Sequence, residues 1–427
     1  MFKYLSVHKK KVVFLSIFIL FIFTIKFELF GFKDYLYKNI PNLSLHKEIR
    51  SNKNLREHIY NDYNTVFLPN TQYEKLNLIK NKINFKPEYY KRYPSSNSGI
   101  ATPRYGSFFL EIFEDKILLV DYMGTVYSIN ENEIISSDFK EISPKIFSTN
   151  FESDKVLDIL VHNKKLYISA ANEIKGCKKI EIFVADLNSE KLNFKKIFSP
   201  NECGYIIFGG RMQFYKHNNL DGIIFTTFGH EYNKPDNTPQ DDESIYSKII
   251  FLDFANKNPI IFSKGHRVSQ GLYAEKNLIL QTEHGPKGGD EINKIIFQKN
   301  YGWPISSYGE KYFVDYTDKP TYKKDHYDYN FEEPIYSFVK SIGISEIIRL
   351  PNTFSKHFQD NFIVSSLYGR HIYRIKFNKI FDRVIYKENI YIGERIRDIK
   401  FHNKLNIILL AFEEDGEIGV ISNDTNK

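Results

Sequence analysis

The chain is poor in sulfur and indole, with two cysteines, three methionines and one tryptophan in 427 residues. Two cysteines permit one internal bridge at most, which excludes a disulfide-dense miniprotein, and no Cys-x-x-Cys spacing suggests zinc or redox chemistry. Glycine, at 22 residues, is too sparse for a collagen-like chain. An excess of one charge is also missing. There are 59 Lys and Arg against 52 Asp and Glu, a net +7, and acids and bases are interleaved. No basic patch or stripe follows the first residues, so nothing points to a nucleic-acid partner.

What is abundant is aromatic: 37 Phe and 30 Tyr, in a chain 42% hydrophobic and 26% charged. That content excludes wholesale disorder and favours pleated strands. One long apolar run is present. Lys3, Lys9, Lys10 and Lys11 precede Val12–Ile25, and apolar character resumes after Lys26 through Phe32. Counted to Phe32, the run reaches the roughly 20 residues a spanning helix needs. Basic residues ahead of it, with no small-x-small cleavage site before Asp34, predict an uncleaved signal anchor over 1–32. The predicted location is the bacterial inner membrane, single-pass, with the body in the periplasm. There Cys177 and Cys203 could bridge or remain two thiols.

Residues 33–95 are polar and rich in Asn, Lys and Tyr, and read as a membrane-proximal linker with one short helix near Gln72–Ile83. From 96 to 427 short β-branched and aromatic runs alternate with polar turns. One element recurs: a polar turn followed at once by an apolar strand, starting at Ile117, Leu166, Ile223, Leu278, Phe362 and Leu405. The intervals are 49, 57, 55, 84 and 43 residues. Periods of this size in all-β sequence predict propeller blades, and six recurrences predict six. The long interval contains an insertion rich in Tyr, Lys and Asp, at Tyr308–Phe331.

The densest group of candidate functional residues runs from Gly265 to Pro304. It reads GHRVSQGL, then EHGPKGGDEIN, then NYGWP. Glycines and Pro286 interrupt strand pairing and turn carbonyls outward, while Glu283, Asp290 and Glu291 are hard oxygen donors of the kind calcium takes. Taken together, the three segments resemble the PQQ-dependent glucose/sorbosone dehydrogenases, the soluble quinoprotein aldose dehydrogenases, over about residues 100–422. The resemblance implies a six-bladed propeller that oxidises an aldose at its anomeric carbon and passes hydride to PQQ. It implies Gly285 and Pro286 carbonyls on a cofactor-bridging calcium ion, and Arg267, Arg395 and Arg397 against the quinone.

The sequence also departs from that family. The position of the catalytic histidine, in Ile207-Phe208-Gly209-Gly210-Arg211, is Ile207, which cannot accept a proton. Three further polar positions read Val268, Tyr368 and Ser153. His230, His266 and His284 are replacement bases by residue type alone. The expected partner is therefore a sugar oxidised with an unnamed electron acceptor or, in a propeller without chemistry, a glycan or an envelope protein.

Overall fold

The computed structural model describes residues 65–66, 76–85, 107–135, 141–230, 237–311, 322–323, 326–414 and 416–423. Six sheets of four or five strands account for nearly all of this. Their innermost strands are Phe108–Phe113, Lys155–His162, Phe208–His217, Val268–Glu275, Ile344–Arg349 and Ile396–His402, and each touches the innermost strands of both neighbours. The ring closes, so the fold is the expected six-bladed propeller. Blades one to six are named here in that order.

Each repeated turn–strand element is the entry to a blade's second strand: Lys116–Asp121, Lys165–Ile174, Leu220–Phe228, Leu278–His284, Asn361–Ser366 and Ile407–Phe412. These strands are apolar without alternation because both faces are covered. In blade one, Ile117 and Leu119 pack toward blade six, whereas Leu118 and Val120 pack toward blade two. The polar turns have a backbone reason as well. Asn163-Lys164 and Asn218-Asn219 hold positive φ at both central residues, the geometry that matches strand twist in a two-residue hairpin.

Six apolar clusters fill the gaps between successive blades. The ring is locked by a strand from early in the chain. Leu76–Ile83 pairs antiparallel with Glu417–Asn423, the third strand of blade six. The expected short helix at this point is therefore a propeller strand inside the segment assigned to the linker. Its lysines and asparagines interrupt the apolar pattern, although only Lys82 is exposed and Asn81 is buried, donating to the Ile134 carbonyl, so the segment carries no strong strand signal.

Cys177 and Cys203 form a disulfide, S–S 2.07 Å, tying a turn of blade two to the segment that enters blade three. The expected anchor at 1–32 lies outside the described residues, and none of the described helices is long and apolar enough to cross a membrane.

Candidate active site

The innermost strands do not run straight past the axis. Register shifts mark the partners of blade two near Leu157, blade three at Gly210-Arg211, blade four at Gln270, blade five at Ser345-Glu346 and blade six at Arg397. A bulge inserts one residue and re-aims its neighbours. In blade three it needs glycine: Gly210 holds φ +83°, and a Cβ there would lie 2.5 Å from Leu157 Cβ.

That bulge delivers Arg211 into the channel. Its Nη1 lies 3.1 Å from carboxylate oxygens of Asp158, Glu346 and Asp398. Nε donates to the Gln270 carbonyl and Nη2 to that of Arg397, and the guanidinium sits 5.0 Å from the Phe109 ring centroid. All six blades thus meet at one buried side chain. Burial alone would lower the Arg211 pKa, but the three carboxylates hold it above its usual range. The acids also accept main-chain N–H groups from neighbouring innermost strands: Met212 to Asp158, Leu110 to Asp398 and Leu272 to Glu346. This triad has the spacing of a metal site, yet a guanidinium fills its centre.

Starts of innermost strands and turns between second and third strands share one end of the propeller. There Arg395 and Arg397 converge on Glu413, which lies in the turn after Ile407–Phe412. Arg395 Nε donates to Glu413 Oε1 at 2.6 Å, and Arg397 Nη2 to Oε2 at 2.6 Å. Arg397 Nη1 also donates to Gln270 Oε1 at 2.9 Å. Burial would raise the Glu413 pKa, but Arg397 and Arg395 bring it down to about 2. The arginine side chains are 16% and 20% exposed, so solvent reaches the pair.

Beside them stands Lys155, the first residue of blade two's innermost strand. Its Nζ rests 4.1 Å from the Phe208 ring centroid. Burial and the nearby Arg397 push its pKa down to about 7, against a smaller opposing pull from Glu413. Sequence reasoning missed Lys155 because a lone lysine at a strand start carries no motif. The signal available was its register, three residues before the Asp158 that the hub requires.

The remaining expected residues are placed differently. Ile207 is buried in the core between blades two and three with Leu157, Met212 and Tyr246, so a side chain at the expected base position packs rather than reacts. Val268 is buried, and Tyr368 is 60% exposed on the same end as the arginines. Arg267 Nη1 donates to the His284 and Gly285 carbonyls at 2.8 Å each, and its guanidinium lies 5.2 Å from the Trp303 ring. The cation facing this turn is therefore a guanidinium, and the calcium expectation at Gly285 and Pro286 gains no support from it.

The acids of this stretch hold the loop together. Asp290 accepts from the N–H groups of Gly285, Ile342 and Ile344. Glu283 accepts from Arg267 N and Gln281 and lies 3.0 Å from His266 Nδ1. Glu291 is buried beside Glu283, which with burial raises its pKa well above the carboxylate range.

The candidate histidines are engaged too. His230 bonds Ser247 Oγ through Nδ1 and accepts from Trp303 Nε1. His266 bonds Ser263 and Glu283. His284 donates Nε2–H to the Ile344 carbonyl, and burial lowers its pKa.

The sequence model of the Glucose / Sorbosone dehydrogenase family matches residues 108–420, the propeller from its first blade into its last. The chain belongs to that family. Among curated relatives, Aldose sugar dehydrogenase YliI of Escherichia coli is 27% identical over 233 residues, 50% of this chain and 60% of that protein. The chain thus spans under two thirds of this relative's length. A solved glucose dehydrogenase covers 74% of this chain and 95% of its own, at 22% identity and a TM-score of 0.61. The PQQ-bound Aldose Sugar Dehydrogenase of Streptomyces coelicolor covers 82% of this chain and 99% of its own, at 16% identity and a TM-score of 0.53. At these identities the structural likeness establishes the fold.

Proposed function

We propose that this chain is a sugar oxidoreductase of the quinone-dependent kind, acting at the arginine-lined end of the propeller axis. The observation that carries the reading is the charge of that end. Two arginines share one carboxylate with a lysine beside them, so the cluster stays cationic and partly open to water. Such a cluster fits an anionic quinone bearing carboxylates, because fork-shaped guanidiniums match planar carboxylates. Arg395 and Arg397 would hold the quinone, which supplies a two-electron acceptor. Arg267 would face it from the Gly285 turn.

This chain's own residues bind and orient the sugar. Tyr205 and Tyr368, each 60% exposed, belong to turns at the same end, and aromatic faces of this kind pack against the apolar C–H face of a pyranose. Burial of the hub below keeps water from entering the channel. The disulfide supports an oxidising compartment. Together with the basic-then-apolar N-terminal run, it supports a periplasmic body tethered to the inner membrane.

Titration of the purified protein with PQQ, with and without calcium, tests the reading through quinone absorbance and melting temperature. Saturable uptake with a raised melting temperature, followed by aldose oxidation with an artificial acceptor, is the expected result. No uptake at high PQQ concentration would sink it. The second reading would then stand: a propeller that binds a glycan without chemistry. Its support is that Ile207 is packed in the core and that His230, His266 and His284 are all engaged.

A further inference from the structure

A quinone-dependent alcohol oxidation needs a group that takes the hydroxyl proton, and position 207 supplies none. We infer that Lys155, reaching in from the adjacent blade, is the proton acceptor of this chain; this rests on the oxidoreductase reading above. Ile207 and Phe208 are consecutive residues where the chain enters the innermost strand of blade three. Ile207 turns into the core between blades two and three. Phe208 carries the Lys155 Nζ over its ring at 4.1 Å. The amine therefore touches the residue next in the chain to the one that the resemblance places at the base position. It lies on the same end of the axis as Arg395 and Arg397.

The surroundings suit a base rather than a permanent cation. The charged groups within electrostatic reach of Nζ are Arg397 and Glu413, and Glu413 is already shared by two guanidiniums. Its chain neighbour Asp154 is turned away, accepting from Glu173 N. The Phe208 ring favours the charged form modestly, while burial and Arg397 oppose it more strongly. The result is an amine whose pKa is brought down to about 7, and a general base works best when its pKa lies near the operating pH.

The step balances as follows. The lone pair on Nζ takes the proton of the anomeric hydroxyl as the anomeric C–H bond breaks. The hydride leaves to the quinone, which is reduced, and the sugar carbon becomes a lactone carbonyl. The resulting ammonium returns its proton to water.

Two measurements test this. Trace acetylation of the cofactor-free protein across pH 5–11, resolved by peptide mass spectrometry, should give Lys155 a midpoint near 7. Exposed lysines should show midpoints near about 10. In the PQQ-loaded protein, Lys155→Gln should lower kcat/KM by about 10²–10⁴ while quinone absorbance still saturates. Methylamine should restore part of the rate to Lys155→Ala, and the wild-type rate should rise with pH through 7. A Lys155 midpoint among the exposed lysines, or an active wild type matched by Lys155→Gln, overturns the inference alone. A wild type that oxidises no aldose overturns the oxidoreductase reading and this inference with it.

Discussion

The hub and the mouth of the axis are built from the same groups in opposite proportion. At the hub one guanidinium, Arg211, is ringed by three carboxylates. At the mouth one carboxylate, Glu413, is gripped by two guanidiniums, with the Lys155 amine beyond. The hub acids are 0–3% exposed and spend their remaining lone pairs on main-chain N–H groups. Nothing there is left for a ligand. The mouth arginines reach solvent, and their charge exceeds what one carboxylate neutralises. The difference teaches that charge stoichiometry and exposure together, rather than residue type, separate a structural ion cluster from a site able to receive an anion.

Breaking the hub should cost most. Arg211→Met removes the guanidinium that lies 3.1 Å from Asp158, Glu346 and Asp398 and leaves Lys400 as their remaining nearby cation, and a buried pair broken on one side typically costs about 3–5 kcal/mol. Urea unfolding followed by tryptophan and tyrosine fluorescence should show a loss of that size or outright failure to fold. A loss under about 1 kcal/mol would mean that the blades do not depend on their shared arginine.

The mouth responds to pH in a calculable direction. The Glu413 pKa is about 2 in the fold against an ordinary 4.5. A depressed pKa contributes stability that is present above about 4.5 and is lost as pH falls toward 2. The shift corresponds to about 3 kcal/mol. Glu413→Gln should therefore destabilise the protein by about that amount at pH 7 and by progressively less below pH 4.5. It should also tighten binding of a dicarboxylate probe at the mouth. Weaker probe binding would mean that Glu413 holds the arginines in their receiving positions rather than competing for them.

The two regions were not equally legible in the sequence. The blades were, because both faces of each second strand are covered and the residues from Ile117 to Val120 or from Ile407 to Ala411 are apolar throughout. The closing strand Leu76–Ile83 was not, since Lys80, Asn81 and Lys82 interrupt its apolar pattern. The arginines of the mouth came with a motif. The hub did not: its partners lie 53 and 187 residues from Arg211, and only the ring closure brings them together. Isoleucine at 207 was legible as a side chain that cannot accept a proton, but that Lys155 of the neighbouring blade lies over the ring of Phe208 beside it is a fact of blade packing.

The smallest expected effect separates the acids within the hub. Glu346 accepts Leu272 N and Ile347 N through Oε1 and faces Arg211 through Oε2. Burial raises its pKa above the carboxylate range, opposed by Arg211 and reinforced by Asp398 and Asp158. An acid with a raised pKa lends stability that is fully present below its ordinary pKa and lost as pH rises through its folded value. Gln does not titrate, and its carbonyl keeps both main-chain hydrogen bonds. Glu346→Gln should therefore cost about 1 kcal/mol at pH 5, with the gap to wild type narrowing toward pH 8. Should the gap widen instead, Glu346 is a fully ionised partner of Arg211. The hub would then hold three ionised carboxylates against Arg211, with Lys400 as a second cation within electrostatic reach.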